Sequence, residues 1–353
     1  MPITRRQFAQ FALGAPSFAA GSALASDRAR AEFASDAEKS LYESAKKEGE
    51  LTWYDSHHPA EVAELNGRRF SEKYPGVVVN VVRTTANVAF QRATQEMKAG
   101  GPLCDVLSSS DITHCLLLKT QGQLERFVPA NVATMLEPLR KVDPEGFFHV
   151  TQIGTIGLAY NPTKVTAAEA PRTWTDLLDP KWKNQVSVGH PAFSGYVSIW
   201  CWEMQRLYGW DYFEKLKANN PQIGRSLLDT LTMLRSGERT VAHAAHAPAT
   251  EAKNKGDPIE TTYAEDGTVV IVSPSCILKG CKHPNAARLF MEFMTSAAAS
   301  RISVETSNES LHEAVKTKTG KPLSELKTLI APPGELQKGL ADIKEKWRDT
   351  FGV

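Results

Sequence analysis

The sequence predicts an α/β protein, and three observations support this fold class. Three consecutive units of strand, polar turn and helix lie between residues 51 and 120. A glycine-punctuated strand at residues 151–161 then begins a second series of such units. The chain has 353 residues, which is enough for two lobes with separate cores. Right-handed crossovers would place the three polar turns of the first series on one edge of a parallel sheet.

The first unit carries the most distinctive side chains. The run Leu51–Tyr54 is typical of a buried strand and ends in Asp55-Ser56-His57-His58, after which Pro59 opens a helix. Proline at the first helical turn costs no hydrogen bond, because its missing N–H would have been unpaired there. Ligands collect at the carboxyl ends of strands in open α/β sheets, and a helix start favours negative charge. We therefore expect this turn to bind a ligand.

The second and third units end in polar turns as well. A β-branched strand at residues 77–82 leads to Thr84 and Thr85, and a strand at residues 105–107 leads to Ser109 and Ser110. Either turn alone is ordinary loop and helix-capping chemistry. The convergence of all three turns on one sheet edge is what predicts a binding site.

The beginning of the chain has the pattern of an export signal. The pair Arg5-Arg6 precedes a mildly apolar stretch, and Ala23-Leu24-Ala25 provides a small-x-small cleavage site. We expect residues 1–25 to be a twin-arginine (Tat) signal peptide, so that the folded protein is exported by the Tat translocase to a bacterial periplasm.

The charge balance excludes some classes of partner. Residues 1–25 contain two arginines and no acid, so their removal changes the formal net charge from +1 to −1. A nucleic-acid or membrane-surface partner would require an excess of basic residues. The near-neutral charge therefore argues against both classes of partner.

The five cysteines are odd in number, and we expect them to be unpaired.

Several stretches, taken in order, resemble a known family over roughly residues 36 to 300. They are Glu48–Tyr54, Leu158–Pro162, Pro171–Lys183, Ser236–Glu238, Glu265–Pro274 and Lys282–Phe290. The chain resembles the extracellular solute-binding proteins of ABC importers (family 1, type II periplasmic binding proteins), in the branch that includes ferric-ion-binding proteins and relatives with organic ligands.

The resemblance implies a fold of two lobes, each a mixed sheet flanked by helices, that close on a ligand by hinge motion. Lobe 1 would comprise residues 36–150 and 274–353, and lobe 2 residues 155–265. The two hinge crossovers would lie near residues 151–158 and 267–273. The implied partners are a small-molecule ligand and an ABC transporter permease, with a monomeric protein and no cofactor.

The resemblance also implies which residues hold the ligand. On the lobe 1 side they match Asp55, Ser56, His57, His58, Thr84, Thr85, Ser109 and Ser110. On the lobe 2 side, the Ser194-Gly195 turn would bind an anionic group through backbone N–H groups at a helix start. Arg225 and Ser226 match a further loop, and the Arg225 guanidinium is suited to a carboxylate or phosphate.

One position departs from the ferric-binding members, which place paired tyrosines after the strand that matches residues 241–244. This sequence has Ala245-His246 there and no Tyr-Tyr pair. Phenolate oxygens suit Fe(III), whereas imidazole suits zinc, copper, nickel or Fe(II). Free ferric ion is therefore disfavoured as the ligand, and His246 becomes a candidate ligand-binding residue.

We thus expect a non-enzymatic, periplasmic substrate-binding component of an ABC importer. Its solute would be small, polar and anionic: a phosphorylated sugar, a phosphonate or a carboxylate. One alternative is a metal-ion or metal-chelate (iron, zinc) binding protein that uses His57, His58 and His246, although no ligand spacing such as CxxC or HExxH supports a metal site. A lesser alternative is a periplasmic hydrolase that uses His57 or His58 with Asp55 or Asp111.

Overall fold

The computed structural model describes residues 33–317 and 321–353, in which ten strands form one mixed β-sheet. In chain order the strands are β1 (Glu50–Asp55), β2 (Val78–Arg83), β3 (Val106–Ser108), β4 (Phe148–Tyr160), β5 (Val186–Val188), β6 (Gln222–Ile223), β7 (Val241–Ala245), β8 (Glu260–Thr262), β9 (Thr268–Ile277) and β10 (Thr328–Ile330). Across the sheet their order is β2-β1-β3-β9-β4-β7-β5-β6, with β10 paired to β9 and β8 paired to β4. The predicted signal peptide lies outside the described residues.

Helices flank the sheet. They are α1 (Asp36–Glu48), α2 (Ala60–Lys73), α3 (Ala86–Lys98), α4 (Ile112–Thr120), α5 (Glu137–Arg140), α6 (Gly195–Tyr208), α7 (Asp211–Ala218), α8 (Leu227–Ser236), α9 (His246–Asn254), α10 (Pro284–Met294), α11 (Ala297–Glu305) and α12 (Pro333–Phe351). None of these described helices is long and apolar enough to span a membrane. The prediction of an α/β fold with a mixed sheet is confirmed.

The predicted convergence of the first three turns follows from the strand register. Strand β1 pairs in parallel with both β2 and β3, with Asp55 opposite Arg83 and Tyr54 opposite Leu107. The three strands therefore end at the same edge of the sheet, where α2, α3 and α4 begin. Parallel pairing of this kind requires the helical crossovers that the sequence pattern indicated.

The two longest strands cross the middle of the sheet. Strands β4 and β9 pair antiparallel from Phe148–Cys276 to Ile156–Val269, and every residue of both strands is buried. They contain most of the predicted hinge segments. Because β4 and β9 pair with each other, one hydrogen-bonded sheet runs through both predicted lobes, and the division into lobes stays a prediction.

Two apolar clusters lie on opposite faces of β1. Trp53 packs with Phe70 and Phe290, whereas Tyr54 belongs to the larger cluster that includes Trp200 and Trp347. This separation follows from the alternation of side chains along a strand.

The described cysteines are all buried and free, and the Sγ atoms of Cys115 and Cys276 are 3.8 Å apart.

The C-terminal helix α12 contacts helices from both predicted lobes. It packs against α6 and α7 of predicted lobe 2 and against α4 of predicted lobe 1. Trp347 of α12 is fully buried against Phe213, and the indole of Trp210 donates to Thr350 Oγ1 at 2.8 Å. Helix α12 therefore lies beside the segments that carry the predicted site.

Candidate functional site

Asp55 organises the turn that follows β1. Its fully buried carboxylate accepts hydrogen bonds from the backbone amides of His57 and His58, both at 3.2 Å, and lies 3.2 Å from the His58 Nδ1 atom. Burial alone would raise the pKa of Asp55, but the His58 ring and, to a smaller extent, His57 with its backbone amide outweigh it and lower the pKa to about 2. Asp55 is therefore an ionised residue that fixes the two histidines in place.

His57 is the most unusual side chain of this turn. It is buried, it stacks on the His58 ring at 5.3 Å, and neither of its ring nitrogens has a hydrogen-bond partner among the described residues. Burial lowers the pKa of His57 to about 3, against the opposing effect of Asp55, so the ring is neutral at neutral pH. A buried polar group without a partner is costly, which makes His57 a strong candidate for contact with a ligand.

Ser56 joins this turn to the one that follows β3. Its hydroxyl donates to the Ser108 carbonyl at 3.0 Å and accepts from the Ser110 amide at 3.1 Å. Ser109 Oγ accepts from the Asp111 amide and lies 2.9 Å from His114 Nδ1. The structure thus brings Ser56, Ser109 and Ser110 together as predicted, but it engages the Ser56 and Ser109 hydroxyls in holding the two turns.

The turn after β2 lies beside the first turn and adds a cation. The Thr84 amide donates to the Asp55 carbonyl at 3.0 Å, and Thr85 precedes α3 without capping it through its side chain. Arg83 lies 4.0 Å from the Asp55 carboxylate, and its guanidinium donates to the carbonyls of His58 and Thr84. Arg83 was not among the predicted site residues.

The start of α6 meets this group of turns from the other side. A Cβ atom placed on Gly195 would lie 3.5 Å from the Ser110 carbonyl oxygen, and Ser194 caps the helix by accepting from the Val197 amide. The predicted Ser194-Gly195 turn and the predicted Ser110 turn are therefore neighbours in space.

Tyr196 is a further residue that sequence reasoning missed. Its hydroxyl lies over the glycine at position 154 of β4, where an added Cβ would be 2.6 Å from the oxygen. Burial, and to a smaller extent the nearby Asp55 carboxylate, raise the pKa of Tyr196 to about 12. Two features of the sequence could have indicated this contact. Tyr196 is a bulky residue directly after Ser194-Gly195, and β4 is a strand interrupted by glycines, which leave room for such a side chain.

Arg225 and Ser226 have separate surroundings. The Arg225 guanidinium is exposed and lies 4.9 Å from the centre of the exposed Phe193 ring. A cavity of about 660 Å³ lies between the turn that contains Phe193 and helix α12. Ser226 forms a capping box with Asp229 at the start of α8, so its hydroxyl serves the helix.

His246 is engaged elsewhere. Strand β7 ends before it, so His246 is the first residue of α9. Its Nδ1 atom lies 3.1 Å from Thr155 Oγ1 and its Nε2 atom 3.3 Å from the Thr262 carbonyl. Among the described residues, the cluster with metal-ligand spacing consists of Asp55, His57 and His58, whose ligand atoms lie within 4.8 Å of one another; it does not contain His246.

A comparison of the sequence with models of protein families identifies the family of this chain. The model of the bacterial extracellular solute-binding proteins matches residues 102–329, well over half of the chain. The chain belongs to this family. The resemblance that the sequence indicated is thereby confirmed, and the solute-binding protein has the extracellular setting of its family.

Two relatives match the solute-binding protein over long stretches. A protein of Haemophilus influenzae is 25% identical over 263 residues, which cover 72% of this chain and 75% of that protein. A probable ABC transporter periplasmic-binding protein of Sinorhizobium fredii, y4fP, is 24% identical over 206 residues, 56% of this chain and 57% of its own length. The solute-binding protein thus spans little more than half of this second relative.

Solved structures share the fold. Iron-bound HitA of Pseudomonas aeruginosa superposes with a TM-score of 0.74 at 22% identity, covering 86% of this chain and 99% of that one. The periplasmic binding protein AfuA of Actinobacillus pleuropneumoniae, with fructose-6-phosphate bound, gives 0.74 at 23% identity and the same coverage. The predicted type II periplasmic binding protein fold is therefore confirmed for the solute-binding protein.

Proposed function

We propose that this protein captures a small anionic solute in the bacterial periplasm and delivers it to an ABC transporter permease, without enzymatic activity. The observation that carries the proposal is the approach of the α6 start to the turns after β1 and β3, with Gly195 against the Ser110 carbonyl. Backbone N–H groups at helix starts favour an anion, and here several helix starts meet in one place.

The chemistry of the surrounding groups is consistent with an anion. In the described part of the chain, helices α2 and α3 begin without a side-chain cap, which leaves their first-turn amides available for a ligand. Arg83 adds a positive charge beside them. His57, neutral and unpartnered, offers one donor and one acceptor to a hydroxyl or phosphate oxygen.

This combination suits a phosphorylated sugar, a phosphonate or a carboxylate, and the sugar-phosphate ligand of AfuA is of the same class. Export by the twin-arginine signal and function as a monomer complete the proposal. The two lobes would close around β4 and β9. The solute would stabilise the closed form because it binds that form more tightly than the open one.

Mass spectrometry tests the proposal directly. The protein is isolated from periplasm, and its native mass is compared with its denatured mass. We expect a co-purifying organic anion that is lost on denaturation. A protein that carries no solute, and whose melting temperature is unchanged by inorganic phosphate, citrate and fructose 6-phosphate, would contradict the proposal.

A metal ion or metal chelate is the second candidate, because one specific observation favours it. The Asp55 Oδ1 atom lies 4.0 Å from His57 Nε2 and 3.2 Å from His58 Nδ1. Ligand atoms bound to tetrahedral zinc at ~2.0 to 2.1 Å would be separated by about 3.4 Å, close to these distances. The neighbouring Arg83 cation opposes this candidate, which is why we place it second.

The same mass measurement separates the two candidates. A metal-sized increment without an organic partner would favour the metal, and it should then disappear in His57→Gln and persist in His246→Gln. An organic increment that is retained after treatment with a chelator favours the anion.

A further inference from the structure

Two thiol groups lie in contact inside the larger apolar cluster. The Sγ atoms of Cys115 and Cys276 are 3.8 Å apart, and both side chains are fully buried. Cys115 lies on the buried side of α4, and Cys276 lies near the end of β9, opposite Leu107 of β3. The two cysteines are 161 positions apart in the chain. Their contact therefore exists because α4 packs on this face of the sheet.

The two thiols are held only by weak hydrogen bonds. The Cys115 thiol donates to the Cys276 sulfur, and the Cys276 thiol donates to the Leu107 carbonyl at 3.6 Å. A thiol is a weak donor and its sulfur a weak acceptor. The loss of both bonds on oxidation would therefore cost little free energy.

The distance between the two sulfurs suits a disulfide bond. Bonded sulfurs are ~2.0 Å apart, so the two Sγ atoms would have to approach by about 1.8 Å. Each Sγ atom lies off the axis of its own Cα–Cβ bond, and rotation between staggered conformers moves it through a distance of this size. The approach can therefore be shared between the two side chains.

The other cysteines have different surroundings. Among the described residues, Cys115 and Cys276 are the two whose thiols hydrogen-bond to each other. Cys104 is also buried near Cys276, whose thiol adds to the effect of burial in raising the pKa of Cys104. Cys201 is buried within α6. Cys104 is thus the competing partner for Cys276, and Cys201 offers a control.

The extracellular setting of the family places these thiols outside the reducing cytoplasm, where disulfides form and persist. We propose that Cys115 and Cys276 form a disulfide bond in the protein outside the cytoplasm, and that this bond fastens α4 to β9. The bond replaces, for this pair, the expectation that all five cysteines are unpaired. It does not depend on which solute the protein binds.

The chemical step is exchange with a disulfide oxidant, either a protein or a small molecule. One cysteine thiolate attacks the oxidant and releases one of its two sulfurs as a thiolate. The second cysteine thiolate attacks the mixed disulfide and releases the other sulfur. Two cysteine thiols are thereby oxidised, one external disulfide is reduced to two thiols, and the two cysteine protons pass to the released thiolates.

Burial makes this exchange slow in the folded protein. The hydrogen bond from Cys115, together with burial, raises the pKa of Cys276, and the thiolate is the reactive form. An oxidant can reach either sulfur only while α4 is displaced from the sheet by local opening. Once formed, the bond would be protected from reduction by the same burial.

The bond would lie beneath one turn of the candidate site. Ser109 and Ser110 precede α4, and Asp111 caps it. A disulfide between α4 and β9 would hold this turn against the centre of the sheet. We expect the gain to be one of stability, because a cross-link between distant residues restricts the unfolded chain.

The test begins with the wild-type protein isolated from the periplasm. The protein is unfolded in the presence of an alkylating reagent, the modified cysteines are counted by mass spectrometry, and the protected pair is identified by peptide mapping without reduction. We expect Cys115 and Cys276 to be protected and joined to each other. Alkylation of all five cysteines, or a bond between Cys104 and Cys276, would overturn the proposal.

A second measurement compares stability. Protein that has been reduced with dithiothreitol in urea and refolded should melt about 5 °C below the isolated protein. Cys115→Ala should show no such difference and have every remaining cysteine alkylated, whereas Cys201→Ala, the matched control, should behave as the wild type does. A difference in melting temperature that persists in Cys115→Ala would also contradict the proposal. The count of alkylated cysteines in the wild type needs no variant to fold.

Discussion

The hydroxyl group of Tyr196 lies in the space that a side chain at Gly154 would need. A Cβ atom on Gly154 would be 2.6 Å from the Tyr196 oxygen and 2.7 Å from Cε1. Helix α6 and strand β4 can approach this closely because residue 154 has no side chain. The contact sets the position of the α6 start, where we propose that the solute binds.

Gly154→Ala is therefore expected to displace Tyr196 and to lower the free energy of unfolding by about 1 to 3 kcal/mol. Solute occupancy in native mass spectra should fall as well, because the α6 start would shift. Gly334→Ala is the matched control, since an added Cβ there meets no atom within 4 Å. Equal unfolding curves for the two variants would show that the contact is unimportant.

His57→Phe should stabilise the solute-free protein and abolish capture. The phenyl ring keeps the stacking on His58 and removes two buried nitrogens that lack partners, so we expect a gain of about 1 kcal/mol in urea unfolding. His243→Phe provides the contrast, because His243 Nε2 accepts from the Gly189 amide at 2.7 Å. That variant should be destabilised. A His57→Phe protein that still carries solute would remove His57 from the site.

Asp55→Asn should destabilise the protein by about 1 to 3 kcal/mol at pH 7, since the amide cannot accept all the hydrogen bonds that the carboxylate accepts. The folded pKa of Asp55, about 2, lies below its ordinary value of 3.8. Its contribution is thus present above pH 3.8 and is lost as the pH falls toward 2.

The measurement for this carboxylate is urea unfolding from pH 3 to pH 7. The difference between wild type and Asp55→Asn should narrow at the acid end. Asp342→Asn, on an exposed residue paired with Lys346, should differ little from the wild type at any pH. A constant difference across the range would argue that ionisation of Asp55 is not the cause.

The family resemblance implies that the Arg225 guanidinium contacts the anionic solute, so Arg225→Ala should weaken solute binding while leaving stability almost unchanged. The guanidinium is exposed and stacks on Phe193, a contact worth about 0.5 to 1 kcal/mol at most at such a site. Arg235→Ala, near the end of helix α8 that follows Arg225, removes an exposed arginine paired with Asp257 and should leave solute occupancy intact. If both variants retain the solute equally in native mass spectra, Arg225 lies outside the site.

The positions of three turns of the candidate site could be predicted from local sequence patterns. Three strand–turn–helix units placed the Asp55, Thr84 and Ser110 turns on one sheet edge, and the parallel register of β1 with β2 and β3 confirms this. The pattern suffices because parallel pairing with right-handed crossovers leaves few other arrangements. Which predicted residues contact a solute stays a prediction.

The sequence by itself determined the α/β class, the family and the turn that carries the histidines. Only the tertiary structure showed that the Ser56 hydroxyl is engaged between Ser108 and Ser110, and that His246 bonds to Thr155 instead of joining His57. It also brought Tyr196 onto Gly154. These relationships join residues from 42 to 91 positions apart. Patterns of hydrophobic periodicity and capping report on neighbours within a few residues, whereas the partners of a buried polar group are selected by the packing of the whole sheet.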